Sequence, residues 1–500
     1  MRIAKARDTF FGQGVALSGP SSLLEKLLRL GLLSGLEILC GVGPDGELAR
    51  YNEPPVPLVP ASELPSSPLL CFGPVPQGLP AHVEVVDLGD ESLNHSTALQ
   101  DHLRSLLKRA TTCMADVFEP DNTVLFAGNV EYYNFMRVSE ALRSRGMRTI
   151  FLGLTSDVIR FKESFFDLCL DADGNVELFY SILNAHAFKV VHFQGWMGNH
   201  EYAAAACALC QSPIIVELND LPHYFLVPQN YDAVYGLGNF GKEDKCLKYI
   251  CTHTDGLLAN CMDKWLVRFL DILGIENSPP CAPFHGYPLT KFFKNESVDT
   301  PFSVVFPGSL LPGNFPAAGF AAAQVIRLVR EYVVPQGIEY HVWANPMSGD
   351  GSQERFWDYH HLAHIEPLFQ LHPGLPPEEL TIEISRFGFG AMFYLMDGGY
   401  EVLPDHYASL IPTKVFTMFE AGLPIIYNEE FEYIDKLNEK WNFGIRVSQE
   451  QIKAGIRPLI ETCDYKALRC GVANFRSTCS MDEKIEELLA MYEAAGRERR

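Results

Sequence analysis

Pro412-Thr-Lys-Val-Phe-Thr-Met-Phe-Glu-Ala-Gly-Leu-Pro424 is the stretch on which the reading of this chain turns. Pro412 suits the first position of a helix, where its missing N–H leaves nothing unpaired. Thr413 and Lys414 then fall in the first turn. Gly422 suits the position just past the helix end, and Pro424 stops the helix before the strand-like run Ile425-Ile-Tyr-Asn. A helix start offers unpaired N–H groups and partial positive charge, which favours a phosphate, and Lys414 adds a mobile cation beside it. On spacing alone, the same stretch also reads as a plain amphipathic helix with a solvated lysine.

Around it, apolar strand-like runs alternate with amphipathic helical runs, the pattern of parallel α/β architecture. The division expected is a small α/β module over 1–105, a first lobe over 106–297, a second over 298–475, and a terminal helix and tail over 476–500. In the module, Val15-Ala-Leu-Ser and Leu36-Glu-Ile-Leu-Cys-Gly-Val read as strands around a turn at Gly19 and a helix from Leu23 to Leu30. That turn has neither a G-x-G-x-x-G pattern nor a P-loop lysine, so it predicts no phosphate site. In the first lobe, strands are expected at Thr123–Gly128, Thr149–Gly153, Phe188–Gly195, Pro213–Leu218 and Thr254–Asn260, with helices at Glu131–Arg145 and Glu201–Gln211. In the second, Phe302–Gly308 and Ile338–Ala344 read as strands on either side of a helix over Ala317–Val333. Pro376 opens a further helix, and Met481–Ala494 forms the last one.

Five hundred residues exceed what one core organises, so more than one domain is expected. A net charge of −22 argues against a broad nucleic-acid footprint. Met1-Arg-Ile-Ala-Lys-Ala-Arg-Asp is basic but precedes no apolar core with a cleavage site, and no run approaches roughly 18 apolar residues, so neither signal peptide nor membrane span is predicted. The chain is therefore expected to be cytoplasmic, its thirteen cysteines reduced, and Cys207-Ala-Leu-Cys210 a packed pair rather than half of a zinc site.

The Pro412–Pro424 segment resembles the P-x-K-hydrophobic-F-E-Y-x-A-x-G-x-P element of bacterial GT-B glycosyltransferases. Four further stretches agree in order. Val190-Val-His-Phe-Gln-Gly-Trp196 is similar to an N-lobe strand and loop, and Asp255-Gly-Leu-Leu-Ala-Asn260 to a later strand. His285-Gly-Tyr-Pro-Leu-Thr-Lys-Phe292 is similar to the lobe junction, and Leu375-Pro-Pro-Glu-Glu-Leu380 to a segment touching the nucleotide base. The resemblance covers about residues 120–465. It implies two Rossmann-like lobes facing a cleft, a nucleoside-diphosphate sugar as donor, and a saccharide, protein or lipid-linked acceptor. No cofactor or metal is implied beyond that donor. On this resemblance Gly308, Ser309, Leu375, Thr413, Lys414 and Glu420 would hold the donor.

The chain also departs from the pattern. Retaining members carry Glu at both ends of an E-x7-E element, where this chain has Ser409 and Thr417, with Glu420 out of register by three. They place Arg and Lys after the first strand of the second lobe, where Gly308-Ser-Leu-Leu-Pro-Gly313 has neither. A histidine often follows the strand that here ends in Glu217-Leu-Asn-Asp220, and Asn219 takes its place. His200 or Asp220 is then the expected general base, as an inverting transfer requires, although His200 equally fits a packed helix start. Gly128-Asn129 is an acceptor-loop candidate by position. Asp171-Ala-Asp173 has a metal-binding DxD spacing but also reads as an ordinary turn. A degenerate scaffold of this fold and a sugar-nucleotide epimerase remain as alternatives.

Overall fold

The computed structural model describes residues 14–18, 37–42, 46–48, 56–59, 69–71, 85–87, 94–128, 133–154, 162–294, 302–311, 325–344, 356–396 and 402–498. The chain forms two compact units. One comprises Met1–Phe118, Leu152–Ser156 and Leu168–His186, the other Glu119–Phe151, Asp157–Asp167 and Ala187–Arg500.

The smaller unit contains a six-stranded sheet of β1 (Gly14–Ser18), β2 (Glu37–Val42), β3 (Gly46–Leu48), β4 (Val56–Val59), β5 (Leu69–Cys71) and β6 (Val85–Asp87). The order is β3-β4-β2-β1-β5-β6, and every pairing is parallel except β3 with β4. β1 and β2 fall on the strands expected at Val15–Ser18 and Leu36–Val42, and the expected boundary at 105/106 falls inside the helix Asn94–Ala115. The Gly19 turn and the helix from Leu23 lie outside the described residues. After β9 (Leu168–Asp171), Asp173 and Gly174 both take positive φ, and Asn175 accepts from Leu178 N–H to cap the helix Val176–Leu183. The Asp171-Ala-Asp173 stretch is therefore a turn into a helix.

The larger unit contains two all-parallel sheets. The strands of the first run β13 (Cys281–Pro283), β12 (Gly256–Ala259), β11 (Ile214–Asn219), β10 (Val190–Trp196), β7 (Thr123–Gly128) and β8 (Arg148–Gly153) in spatial order. The second runs β16 (Phe369–His372), β15 (Glu339–Ala344), β14 (Ser303–Gly308), β17 (Phe389–Met392), β18 (Ile425–Asn428) and β19 (Gly444–Val447). Central strands β7, β11, β12, β17 and β18 are buried at every residue, as sheets covered by helices on both faces require. Two Rossmann-like lobes opening on one cavity is the GT-B arrangement expected above, with the small N-terminal α/β module as a further unit.

Helix boundaries move slightly from the sequence reading. The helix expected over Glu131–Arg145 spans Tyr133–Ser144, and that over Glu201–Gln211 spans His200–Leu209. The one expected over Ala317–Val333 is described as Val325–Leu328 followed by a π turn, Val329–Val333. The last helix is longer than expected, Met481–Glu498. It lies against the first sheet through Tyr492, whose hydroxyl is 2.7 Å from His192 Nδ1. No described helix is long and apolar enough to cross a membrane. Cys207 and Cys210 are both buried.

Candidate active site

In a parallel sheet, loops and helix starts gather at the carboxyl ends of the strands, and ligands bind there. At that end of the first sheet, Trp196 on β10 pairs in register with Asn219 on β11. The next residue, Asp220, leaves the strand at φ +48°. Most side chains resist this left-handed conformation, and aspartate is among the few that tolerate it. The turn holds the Asp220 carboxyl at the strand end instead of letting the strand run on.

At the same end of the second sheet, Gly308 on β14 pairs with Ala344 on β15, and Trp343 pairs with His372 on β16. The Trp343 and His372 rings stack at 3.8 Å between centroids. A Cβ on Gly308 would lie 3.2 Å from Lys414 Cε, so glycine here lets the lysine stem pass against the backbone.

The helix that carries Lys414 spans Thr413–Glu420, with Pro412 as its N-cap at φ −63°, ψ 135°. The proline therefore sits one residue earlier than the sequence reading put it, because its extended ψ precedes the first helical residue. Thr413 and Lys414 keep their first-turn positions. Gly422 follows at φ +77°, with its N–H on Phe419 O and Leu423 N–H on Met418 O, which closes the helix as expected. Lys414 Nζ donates to the Tyr394 hydroxyl at 3.0 Å and lies 4.5 Å from the centroid of the Phe306 ring.

One cavity of about 470 Å³ takes its walls from both lobes. That volume is enough for a small-molecule ligand. From the first lobe come Met136, Arg137, Phe165, Trp196, Asn219, Asp220 and Asn260. From the second come Gly308, Ser309, Trp343, Leu375, Leu380, His406, Thr413, Lys414, Thr417 and Glu420, among others. Burial pushes the Asp220 carboxyl up to about 6, against the opposing pull of Lys414 and His200. Burial pushes the His406 imidazole down to about 4, so it is neutral at pH 7. The cavity thus holds a carboxyl that is half-ionised near pH 6, contributed by the first lobe, with Lys414 contributed by the second.

Of the residues singled out from sequence, Asp220, Gly308, Ser309, Leu375, Thr413, Lys414 and Glu420 all line this cavity. His200 does not. It is fully buried in the first turn of its helix, with Nδ1 hydrogen-bonded to Glu243, a carboxylate that also accepts from Gly198 N–H. Burial is the largest influence on Glu243 and opposes its ionisation, but His200, the Gly198 N–H and Lys242 together hold the carboxyl below its usual range. The partner that fixes His200 lies 43 residues away, outside the reach of a local motif. Gly128 ends β7, and a Cβ there would meet Gln194 Oε1 at 2.7 Å, so it serves strand packing. Asn129 lies outside the described residues.

Glu420 lines the cavity with a carboxylate that is already engaged. It accepts from Arg137 Nε at 2.8 Å, Arg137 Nη2 at 2.7 Å and Leu289 N–H at 2.8 Å. Arg137 is the residue sequence reading missed. It lies within the amphipathic pattern of the helix Tyr133–Ser144, and its partner is 283 residues away. His285, at the expected lobe junction, is likewise a structural tie: Nδ1 is 2.8 Å from Asn260 Oδ1 and Nε2 is 2.6 Å from the Tyr433 hydroxyl. Burial pushes its imidazole down to about 3.

No family model and no curated protein matches the chain. Solved structures of similar fold include Anabaena HepE in complex with UDP and glucose, at 12% identity and TM-score 0.49, over 74% of this chain and 99% of that one. The UDP-GlcNAc 2-epimerase of Methanocaldococcus jannaschii, in complex with UDP-GlcNAc and UDP, is similar at 12% identity and TM-score 0.45, over the same shares. The glycosyltransferase SnogD from Streptomyces nogalater is similar at 11% identity and TM-score 0.38, again over 74% and 99%.

Proposed function

We propose that this chain transfers a sugar from a nucleoside-diphosphate sugar to an acceptor hydroxyl, without a divalent metal, in the cavity between the two sheets of its larger unit. The observation that carries the reading is the division of that cavity. The helix start with Lys414 and the backbone of Gly308 line it from the second lobe, and Asp220 lines it from the first.

In this reading the donor diphosphate lies against Gly308, Ser309 and the Thr413–Lys414 helix start. The nucleobase lies toward Leu375 and Trp343. Asp220, ionised above about pH 6, takes the proton of the acceptor hydroxyl as its oxygen bonds to the anomeric carbon. The bond from that carbon to the phosphate oxygen breaks, and its electron pair leaves with the nucleoside diphosphate. The charge that grows on the leaving phosphate is met by Lys414 and the helix start, groups already in position before the reaction. His200 and Glu243, hydrogen-bonded to each other outside the cavity lining, make no contact with substrate in this reading.

The test is donor turnover. Each common nucleotide sugar is incubated with the native chain and with Asp220→Asn, and nucleoside diphosphate release is followed with and without acceptor. Slow release by the native chain, lost in Asp220→Asn, supports transfer. Conversion of the donor sugar without release of nucleotide supports an epimerase instead. The binding-scaffold alternative draws on Ser409 and Thr417 standing where the resembling family has its acidic pair, and it predicts nucleotide binding with no release from any donor.

A further inference from the structure

Arg137 presents an unusual balance. Its side chain is 6% exposed and its Glu420 partner 0%. Nε and Nη2 bind Glu420, and Nη2 also donates to Thr417 Oγ1 at 2.9 Å. Nη1 is buried with no hydrogen-bond partner. A guanidinium offers five N–H donors, and a buried one left unpaired keeps the cost of its lost hydration. The residue lines the same cavity as Gly308 and Lys414. Thr417, which it touches, lies one turn beyond Lys414 on the same helix face. Gly308-Ser-Leu-Leu-Pro-Gly313 carries no Lys or Arg, and among the described residues Arg137 and Lys414 are the only Lys or Arg on the cavity wall.

We propose that Arg137, reaching from the first lobe, is the second cation of the diphosphate site, with its unpaired Nη1 edge held for the phosphate that leaves with the nucleotide. This rests on the reading of the cavity as a nucleoside-diphosphate site. The two cations divide the task by their chemistry. Lys414 is a mobile point charge, whereas Arg137 is a planar donor fixed in orientation by Glu420 and Thr417. Glu420 offsets part of the guanidinium charge, so it tempers anion binding while it orients the donor.

The experiment measures inorganic pyrophosphate affinity by calorimetry for four proteins: the native chain, Lys414→Ala, Glu420→Gln and the double variant Arg137→Met/Glu420→Gln. The double variant removes both buried charges together, and a thermal melt verifies that each protein is folded. The expected result is that Glu420→Gln binds at least about threefold more tightly than native, and the double variant at least about tenfold more weakly than Glu420→Gln. If the folded double variant binds as tightly as Glu420→Gln, Arg137 is only a tie between the lobes and the proposal is overturned, even where Lys414→Ala weakens binding. If Lys414→Ala and the double variant both bind like the native chain, the diphosphate site itself fails and takes the proposal with it.

Discussion

Arg137 and Glu420 form a two-pronged ion pair, Nε to Oε1 at 2.8 Å and Nη2 to Oε2 at 2.7 Å, that joins the first lobe to the C-terminal end of the helix carrying Lys414. Both side chains are buried, so breaking the pair from one side strands a charge. Arg137→Ala is expected to lose about 3–5 kcal/mol of stability, read from urea unfolding. Arg137→Met/Glu420→Gln is expected to recover most of that loss, because neither charge is left alone. Equal loss in both variants would mean that the packing, not the charge pairing, carries the stability.

Asp220 gives the account its pH dependence. Its folded carboxyl titrates near 6, above the value of about 3.9 for an exposed aspartate. The folded state therefore binds more protons than the unfolded state between those values, and stability falls as pH rises through that window. Asp220→Asn removes the effect and keeps a residue that tolerates φ +48°. It is expected to be more stable than native at pH 8 by about 1–3 kcal/mol, with a smaller gain near pH 5, in urea melts at the two pH values. Activity moves the other way: the native kcat/KM is expected to fall on the acid side of about pH 6 and Asp220→Asn to be inactive throughout. An active Asp220→Asn with the native acid limb would remove Asp220 from the chemistry.

Gly308 tests whether Lys414 acts through its path along the backbone. A methyl at 308 would stand 3.2 Å from Lys414 Cε and 3.3 Å from the Phe306 ring. Gly308→Ala is expected to change stability by less than about 1 kcal/mol, since the lysine stem can swing aside. Nucleotide affinity should nonetheless drop severalfold in calorimetry. A variant with native affinity would show that the lysine does not need that path.

Gly422 is a purely structural position. Its φ of +77° disfavours any other residue, and a Cβ would stand 2.8 Å from the Lys294 carbonyl oxygen. Gly422→Ala is expected to lower stability by at least about 2 kcal/mol, seen as a fall in Tm, because conformation and clash act together. A Tm within a degree or so of native would show that the segment around Lys294 yields freely.

The sheets and most of the cavity were legible in the sequence because their signals are local. Thr123–Gly128 and Ile425–Asn428 read as buried strands from apolar runs alone. Gly422 and Lys414 declared a helix end and a helix start within ten residues of each other. Asp220 stood out as the acid just past a strand. What escaped was set by tertiary partners. Nothing near His200 shows that Glu243 will hold it inside the fold, and nothing near Glu420 shows that Arg137 and Leu289 will occupy its carboxylate. The register of Pro412 differed by one residue because both an N-cap and a first helical position accept its fixed φ.

The central claim is that a nucleoside diphosphate binds against Lys414. It is tested most directly by titrating UDP, GDP, dTDP, ADP and CMP into the native chain and Lys414→Ala and following thermal unfolding, since a ligand that binds the folded state raises Tm by mass action. At least one diphosphate is expected to raise the native Tm clearly and CMP to do so less, while Lys414→Ala loses most of the shift and remains folded. Equal shifts in both proteins, or no shift from any of the five nucleotides, would contradict it.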